Sequence, residues 1–173
     1  MPEYIHKSVM AEEVLAALRL LPTGKYVDGT LGGAGHAASI LAATTPTGWL
    51  YGCDRDGVAV ETACARLGEK FAGRFEIRRG NFAELADWVP AGSCQGVLLD
   101  LGVSSPQLDT ADRGFSFQLD GPLDMRQDDR QSLTAADLVN RAGETELANI
   151  FFELGGERDS RRFARAIAHD RVQ

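Results

Sequence analysis

The sequence predicts an α/β fold in which a parallel sheet carries helices on both faces. Three observations predict it. Strand-like apolar runs alternate with helix-like segments through the first hundred residues. The first strand runs straight into a glycine-rich turn, Gly29-Thr30-Leu31-Gly32-Gly33-Ala34-Gly35. A later run, Gly96-Val97-Leu98-Leu99-Asp100, is continuously apolar, as a buried parallel strand is.

In order along the chain, Ser8 is placed to cap a helix whose apolar positions Met10, Val14, Leu18 and Leu21 recur at helical spacing. Pro22-Thr23-Gly24 ends it. Lys25-Tyr26-Val27-Asp28 is the first strand, and His36 to Thr44 is a helix beyond the turn. Trp49 to Asp54 is the second strand, with a helix from about Val58 to Phe71. Arg74 to Arg79 is the third strand, followed by a short helix around Phe82 to Val89, and Gly96 to Asp100 is the fourth. Residues 100 to 137 then hold eight aspartates and little periodicity, an unusually long connection for a compact domain. Helices resume where Thr134 caps a turn with Asp137 at its third position. Leu147, Ile150, Phe151 and Leu154 keep one helical stripe, and a last helix from about Arg158 to Val172 carries five arginines. That helix stops at Gln173 without a cap, in mid-pattern, and the edge beyond the fourth strand would present unpaired backbone groups and an uncovered apolar face, so further strands are expected to follow in the natural protein. The expected organisation is a sheet domain over 1–105, a connecting loop over 106–133, and the first helices of a second domain over 134–173.

Composition narrows the function classes. At 173 residues, 44% hydrophobic and 25% charged, the chain is neither disordered nor fibrous. Its formal charge of −7 argues against a nucleic-acid grip based on bulk positive charge, but leaves room for a local basic face. Cys53, Cys64 and Cys94 show no paired spacing, so reduced, mostly buried thiols in a cytoplasmic protein are expected, with neither a disulfide framework nor a metal site. The segment Met1 to His6 lacks the layout of a signal peptide. The apolar stretch Val14 to Leu21 is interrupted by Arg19 and is too short to span a membrane, so no membrane partner is expected.

Four clusters carry chemistry. The glycine turn lets a ligand approach the backbone and precedes a helix N-terminus. A dinucleotide would place its pyrophosphate there, and Gly33-x-Gly35-x-x-Ala38 matches the relaxed dinucleotide pattern. S-adenosylmethionine would place its amino-acid end there, which calls for the acid that Asp28 supplies and a pyrophosphate would be repelled by. Without a ligand, Asp28 reads as a cap of a tight turn. Asp54, at the end of the second strand, can accept both ribose hydroxyls of either ligand, while Asp56 reads as a helix N-cap. Asn81 and Phe82 can read an adenine edge and face, or serve as N-cap and core residue. Past the fourth strand, Asp100, Ser104, Ser105, Pro106 and Gln107 bring a carboxylate, two hydroxyls and an amide to the ligand end of the sheet. His6, His36 and His169 have no ligand-like spacing; His36 is expected to contribute its backbone, and His169 to be solvated. The arginines of the last helix read either as a solvated surface or as a face for RNA phosphates.

The segments Asp28 to His36, Asp100 to Leu108, Arg113-Gly114-Phe115-Ser116-Phe117 and Gly121-Pro122-Leu123-Asp124-Met125-Arg126 together resemble the bacterial ribosomal RNA small subunit methyltransferase H family, from about His6 to Ile167. The resemblance implies a Rossmann-like S-adenosylmethionine-dependent methyltransferase sheet with a helical domain inserted after strand four. It implies methylation of the exocyclic N4 of a cytidine in 16S rRNA, with the small ribosomal subunit as partner and a homodimer left open. Cofactor contacts carried over fall on Ala34, Gly35, His36, Asp54, Phe82, Asp100 and Gln107, beside Asp28 and Gly32 of the turn. Asp100, Ser104, Ser105 and Pro106 become the catalytic candidates, with Phe115 or Phe117 stacking a flipped base. The family usually has glycine where this chain has Ala34, a change that a backbone contact survives unless the position requires positive φ. Two other readings stand beside this one: a non-catalytic cofactor-binding fragment, and a NAD-binding oxidoreductase domain.

Overall fold

The computed structural model describes residues 8–171. The expectations for the stretch through His6 and for the end of the last helix at Val172 lie outside the described residues. The chain divides into two compact units. One runs through Ser104 and takes in Gln127–Asp129; the other is Ser105–Arg126 with the chain from Arg130 onward. The division falls one residue before the expected boundary. Most of the expected connecting loop groups with the second unit, because it is internally hydrogen-bonded around Arg113 and Arg126.

In the first unit, β1 (Lys25–Asp28) pairs in parallel with both β2 (Trp49–Asp54) and β4 (Gly96–Leu98), and β2 pairs in parallel with β3 (Phe75–Arg79). The order is therefore β3-β2-β1-β4, the order of a doubly wound Rossmann-like sheet around its switch point between β1 and β4. In register, Asp28 lies between Gly52 and Leu98, and Asp54 lies beside Arg79. The carboxyl ends of all four strands thus form one edge. Helices α1 (Ala11–Leu18), α2 (Gly35–Ala43) and α3 (Gly57–Gly68) complete the unit, α2 against β1 and β2 and α3 against β2 and β3. Tyr26, Ile40, Leu41, Leu50, Leu67 and Phe71 fill the space between these helices and the sheet. Burying each such side chain stabilises the fold by roughly 1.5–3 kcal/mol. The Asp56 side chain accepts the Val58 N–H and caps α3, as expected.

Several expectations are corrected. Met10, in the left-handed region, precedes α1, so Ser8 is not its cap. The apolar run expected to be a buried strand over 96–100 is strand only over Gly96–Leu98, with Val97 58% exposed; that it ends the sheet with an unpaired edge agrees with the expectation. The segment around Phe82 is a 3-10 helix, Phe82–Asp87. Cys64 is exposed, on the outer side of α3, while Cys53 is buried.

The second unit holds α4 (Ser105–Asp109), α5 (Ala135–Arg141), α6 (Glu144–Glu153) and α7 (Ser160–Asp170). Thr134 and Asp137 form the reciprocal capping box of α5. Leu147, Ala148 and Ala164 form its small core, flanked by Leu138, Phe151 and Ile167. Leu154 falls off the expected stripe and is 83% exposed, because α6 ends at Glu153 and the chain turns at Gly155-Gly156. Among the described residues no helix is long and apolar enough to cross a membrane.

Arg74, just before β3, closes the C-terminal end of α2. Its guanidinium donates to the carbonyls of Leu41 (2.9 Å), Thr44 (3.0 Å) and Gly48 (2.9 Å). These include carbonyls that the last turn of a helix leaves without intrahelical donors. Replacing Arg74 with Ala is expected to lower unfolding free energy by about 1.5–3 kcal/mol, as loss of hydrogen bonds from a charged donor does. Chemical denaturation checks this, with Arg74→Lys recovering part of the loss.

Candidate cofactor site at the carboxyl edge of the sheet

Glycine is required at two places in the first turn. Gly32 has φ of 47°, and a side chain at Gly29 would press on Phe82 and Leu99, which close over it. The turn is tied down on every side. The Asp54 carboxylate accepts the Gly32 N–H through Oδ2 and the Asp56 N–H through Oδ1, both at 2.9 Å. The Leu31 N–H donates to the Cys53 carbonyl and the Gly29 N–H to that of Leu98. Thr30 accepts the Asp100 N–H on its hydroxyl at 2.7 Å, joining the turn to the end of β4. From α3, the Arg66 guanidinium donates to the Gly33 carbonyl at 2.7 Å.

Asp28 is the electrostatic centre of this edge. Its side chain is 1% exposed; Oδ1 accepts the Thr30 N–H at 3.1 Å, and the buried Oδ2 has no hydrogen-bond partner among the described residues. Burial pushes its carboxyl up to about 7; the Thr30 N–H opposes that rise, and the carboxylates of Asp54 and Asp100 add to it. Burial likewise pushes the Cys53 thiol up to about 11, with help from Asp54 and Asp28, so this cysteine is inert packing. His36, expected to serve through its backbone, has a buried imidazole with Nε2 3.8 Å from Asp100 Oδ2 and Nδ1 without a partner among the described residues.

Asp28, Gly32, Ala34, Gly35, His36, Asp54, Phe82, Asp100 and Ser104 therefore belong to the first unit, most of them at its carboxyl edge. Ser105, Pro106 and Gln107 open the second unit in α4, where Gln107 is buried. Asn81 takes the capping role, with its side-chain oxygen accepting the Ala83 N–H. Sequence reasoning missed Thr30, Arg66 and Arg79. Arg79, at the end of β3, pairs with Asp128 at 3.0 Å and with Asp129, and the Gln127 side chain donates to the Gly102 carbonyl at 3.1 Å. These bonds hold residues 127–129 to the first unit. No sequence signal announces a pairing across 49 residues.

Three carboxylates converging where one buried oxygen lacks a donor make a site for a cationic, hydrogen-bond-donating group. The same carboxylates oppose a pyrophosphate. A profile of the MraW methylase family matches residues 3–173. The chain belongs to that family. Its methyl donor is S-adenosylmethionine, whose ammonium and sulfonium suit the acidic edge. Among curated proteins, the chain is 55% identical to the ribosomal RNA small subunit methyltransferase H of Syntrophotalea carbinolica over 166 residues, 94% of this chain and 52% of that protein. It is 53% identical to the protein of that name from Geobacter sulfurreducens over 172 residues, 98% of this chain and 55% of the other. The chain thus spans about half the length of the curated relatives it matches. A crystal structure of a candidate rRNA methylase from Clostridium thermocellum shares the fold with a TM-score of 0.51 at 14% identity, over 58% of this chain and 55% of that one.

Ala34, where the resemblance leads one to expect glycine, has φ of 56°. A side chain in this region costs about 1–2 kcal/mol, whereas losing its buried methyl costs only about 0.8 kcal/mol. Ala34→Gly is therefore expected to lie within about 1 kcal/mol of the parent. Ala37→Gly, equally buried but helical, should lose about 1–2 kcal/mol, the methyl plus helix propensity. Urea denaturation of both variants tests the contrast.

Asp28 makes a second prediction. Its folded pKa is raised from 3.8 to about 7, so between those values the folded state holds a proton that the unfolded chain has released. Its contribution to stability therefore declines as pH rises through that window. Asp28→Asn should flatten this part of the pH–stability profile and raise the melting temperature at pH 8, measured against parent chain across pH 4–8.

Proposed function

We propose that this chain carries the cofactor pocket of an rRNA methyltransferase that modifies the exocyclic N4 of a cytidine in 16S rRNA, acting on the small ribosomal subunit in the cytoplasm. The observation that carries the cofactor part is the buried, unpartnered Asp28 Oδ2 among the carboxylates at the strand ends. The rRNA part is supported by the names of the relatives. The cytidine N4 rests on the resemblance.

In this reading Asp28 receives the ammonium of the amino-acid end, and the turn from Gly32 to Gly35 lets that end approach the backbone. Asp54 keeps a free lone pair on each oxygen for ribose hydroxyls, since each oxygen holds one backbone N–H. Phe82, beside Gly29, offers an apolar surface to the adenine. S-adenosylmethionine supplies a methyl group activated by its sulfonium. The cytosine amino group is a weak nucleophile because its lone pair is delocalised into the ring. An acceptor for one of its N–H bonds, with in-line placement, is what the protein must contribute. Asp100 and Ser104 carry such acceptors in the first unit. The roles of His36, Ser105, Pro106 and Gln107 rest on the resemblance, as does the reading of the second unit as the start of an inserted domain.

Calorimetric titration with S-adenosylmethionine, with NAD as the control, tests this reading. Saturable binding of S-adenosylmethionine alone is expected. Affinity should rise from pH 6 to pH 8, by up to about tenfold per pH unit below 7, as Asp28 ionises. Asp28→Asn should weaken binding at pH 8 by about 10- to 100-fold, as loss of a charge-assisted hydrogen bond does, and remove the pH dependence. Binding of NAD, or an unaltered Asn variant, would overturn it. For the RNA part, labelled methyl groups transferred to small subunits should be recovered as N4-methylcytidine.

A further inference from the structure

Helix α7 is charged against its own stability. Arg158 precedes it, Arg161 and Arg162 lie in its first turn, and that turn contains no acidic side chain. The N-terminal end of a helix is already positive, so cations there are unfavourable, and Arg161 and Arg165 add a like-charge pair at i, i+4. Asp159, at the N-cap position, makes no side-chain capping bond. Only Arg165 of this group has an ion pair among the described residues, with Glu144 at 3.4 Å. Residues 158–171 hold five arginines against two aspartates, a net +3, whereas the rest of the chain carries −10. Ordinary surface optimisation would place acids where these arginines stand.

The arginines also share one surface. Arg161, Arg162, Arg165 and His169 line one side of α7 together with Ala166. Arg158, Arg161 and Arg162 meet Phe152 and Asn149 of α6 across a cleft of about 400 Å³. The Ser160 hydroxyl group lines that cleft from a side chain that is only 4% exposed, and Phe152 stands 59% exposed at its wall. The apolar side of α7 is taken up by α6 through Ala164 and Ile167, so the helix is not free to lie in a membrane surface.

From this charge, the cleft and the exposed aromatic ring, we propose that the α6–α7 face binds the sugar-phosphate backbone of an unpaired RNA segment, with Phe152 stacking a base. Arginines at helical spacing match successive phosphates, and a solvent-facing phenyl ring beside them is the usual platform for an unstacked base. The proposal rests on and deepens the reading of an RNA substrate, and it assigns the contact to residues of the second unit.

The test is fluorescence anisotropy of the 173-residue chain with a labelled single-stranded 12-nucleotide RNA over a salt series. Arg161→Glu/Arg162→Glu is expected to weaken binding at least tenfold. It should also reduce the slope of log K against log salt by about 1.4, the value for two phosphate contacts on a single strand. A control of equal charge change, Arg19→Glu/Lys70→Glu, should lose less than threefold, and Arg161→Lys/Arg162→Lys should keep the salt slope. Phe152→Ala should weaken binding about tenfold with the slope unchanged. Helical circular dichroism and titration with S-adenosylmethionine show whether each variant is folded, and they fail separately if the cofactor reading is wrong. Equal losses in the reversal and the control, no saturable RNA binding by the parent chain, or loss of binding only to phosphatidylglycerol vesicles would each overturn the proposal.

Discussion

The carboxyl edge of the sheet is organised around a carboxylate taken out of water. Asp28 ends β1, one of the two strands with a neighbour on each side, and its side chain is enclosed. Desolvation of an acid is costly, and two further carboxylates nearby increase that cost. A single N–H from Thr30 offsets only part of it. Such an arrangement is unfavourable for the empty protein and favourable once a cation occupies the edge. It separates what stabilises the fold, the core under α2 and α3, from the edge proposed to recognise the ligand.

The glycine turn is shaped by the same requirement. It must bring backbone close to a ligand while its own amides remain bonded, and Asp54 meets the second need from the end of β2. One residue thereby shapes the turn and keeps lone pairs for a nucleoside. The Asp100 N–H, just past β4, and Arg66 of α3 brace the turn from two further directions. That bracing holds Ala34 in a left-handed conformation usually occupied by glycine. The edge is extended by Arg79, which draws residues 127–129 back to the first unit after the chain has built part of the second.

Charge is concentrated locally within each unit, with opposite sign at the two places. The first unit concentrates carboxylates where a small cationic cofactor is expected. The second concentrates arginines on α7, where the helix dipole and the like-charged neighbours oppose them. Both arrangements lower the stability of the isolated chain, and a bound partner of opposite charge relieves each. The net charge of −7 conceals this separation, because a sum over the chain carries no information about position.

The sequence by itself determined the strand–turn–helix order, the capping box at Thr134 and Asp137, and the placement of Asp28, Asp54 and Asp100 near strand ends. These are local properties, written in periodicity and in residue types suited to turns and caps. Only the tertiary structure decided which of the three acids is desolvated, that Ala34 needs positive φ, and that the His36 imidazole is buried beside Asp100. Only it showed that Val97 of the apolar run is exposed, and that Arg79 meets Asp128. Each depends on which segments far apart in sequence come to lie side by side. Burial and pairing are properties of that packing, and an apolar run or a lone arginine reads the same in sequence whether its neighbour is protein or water.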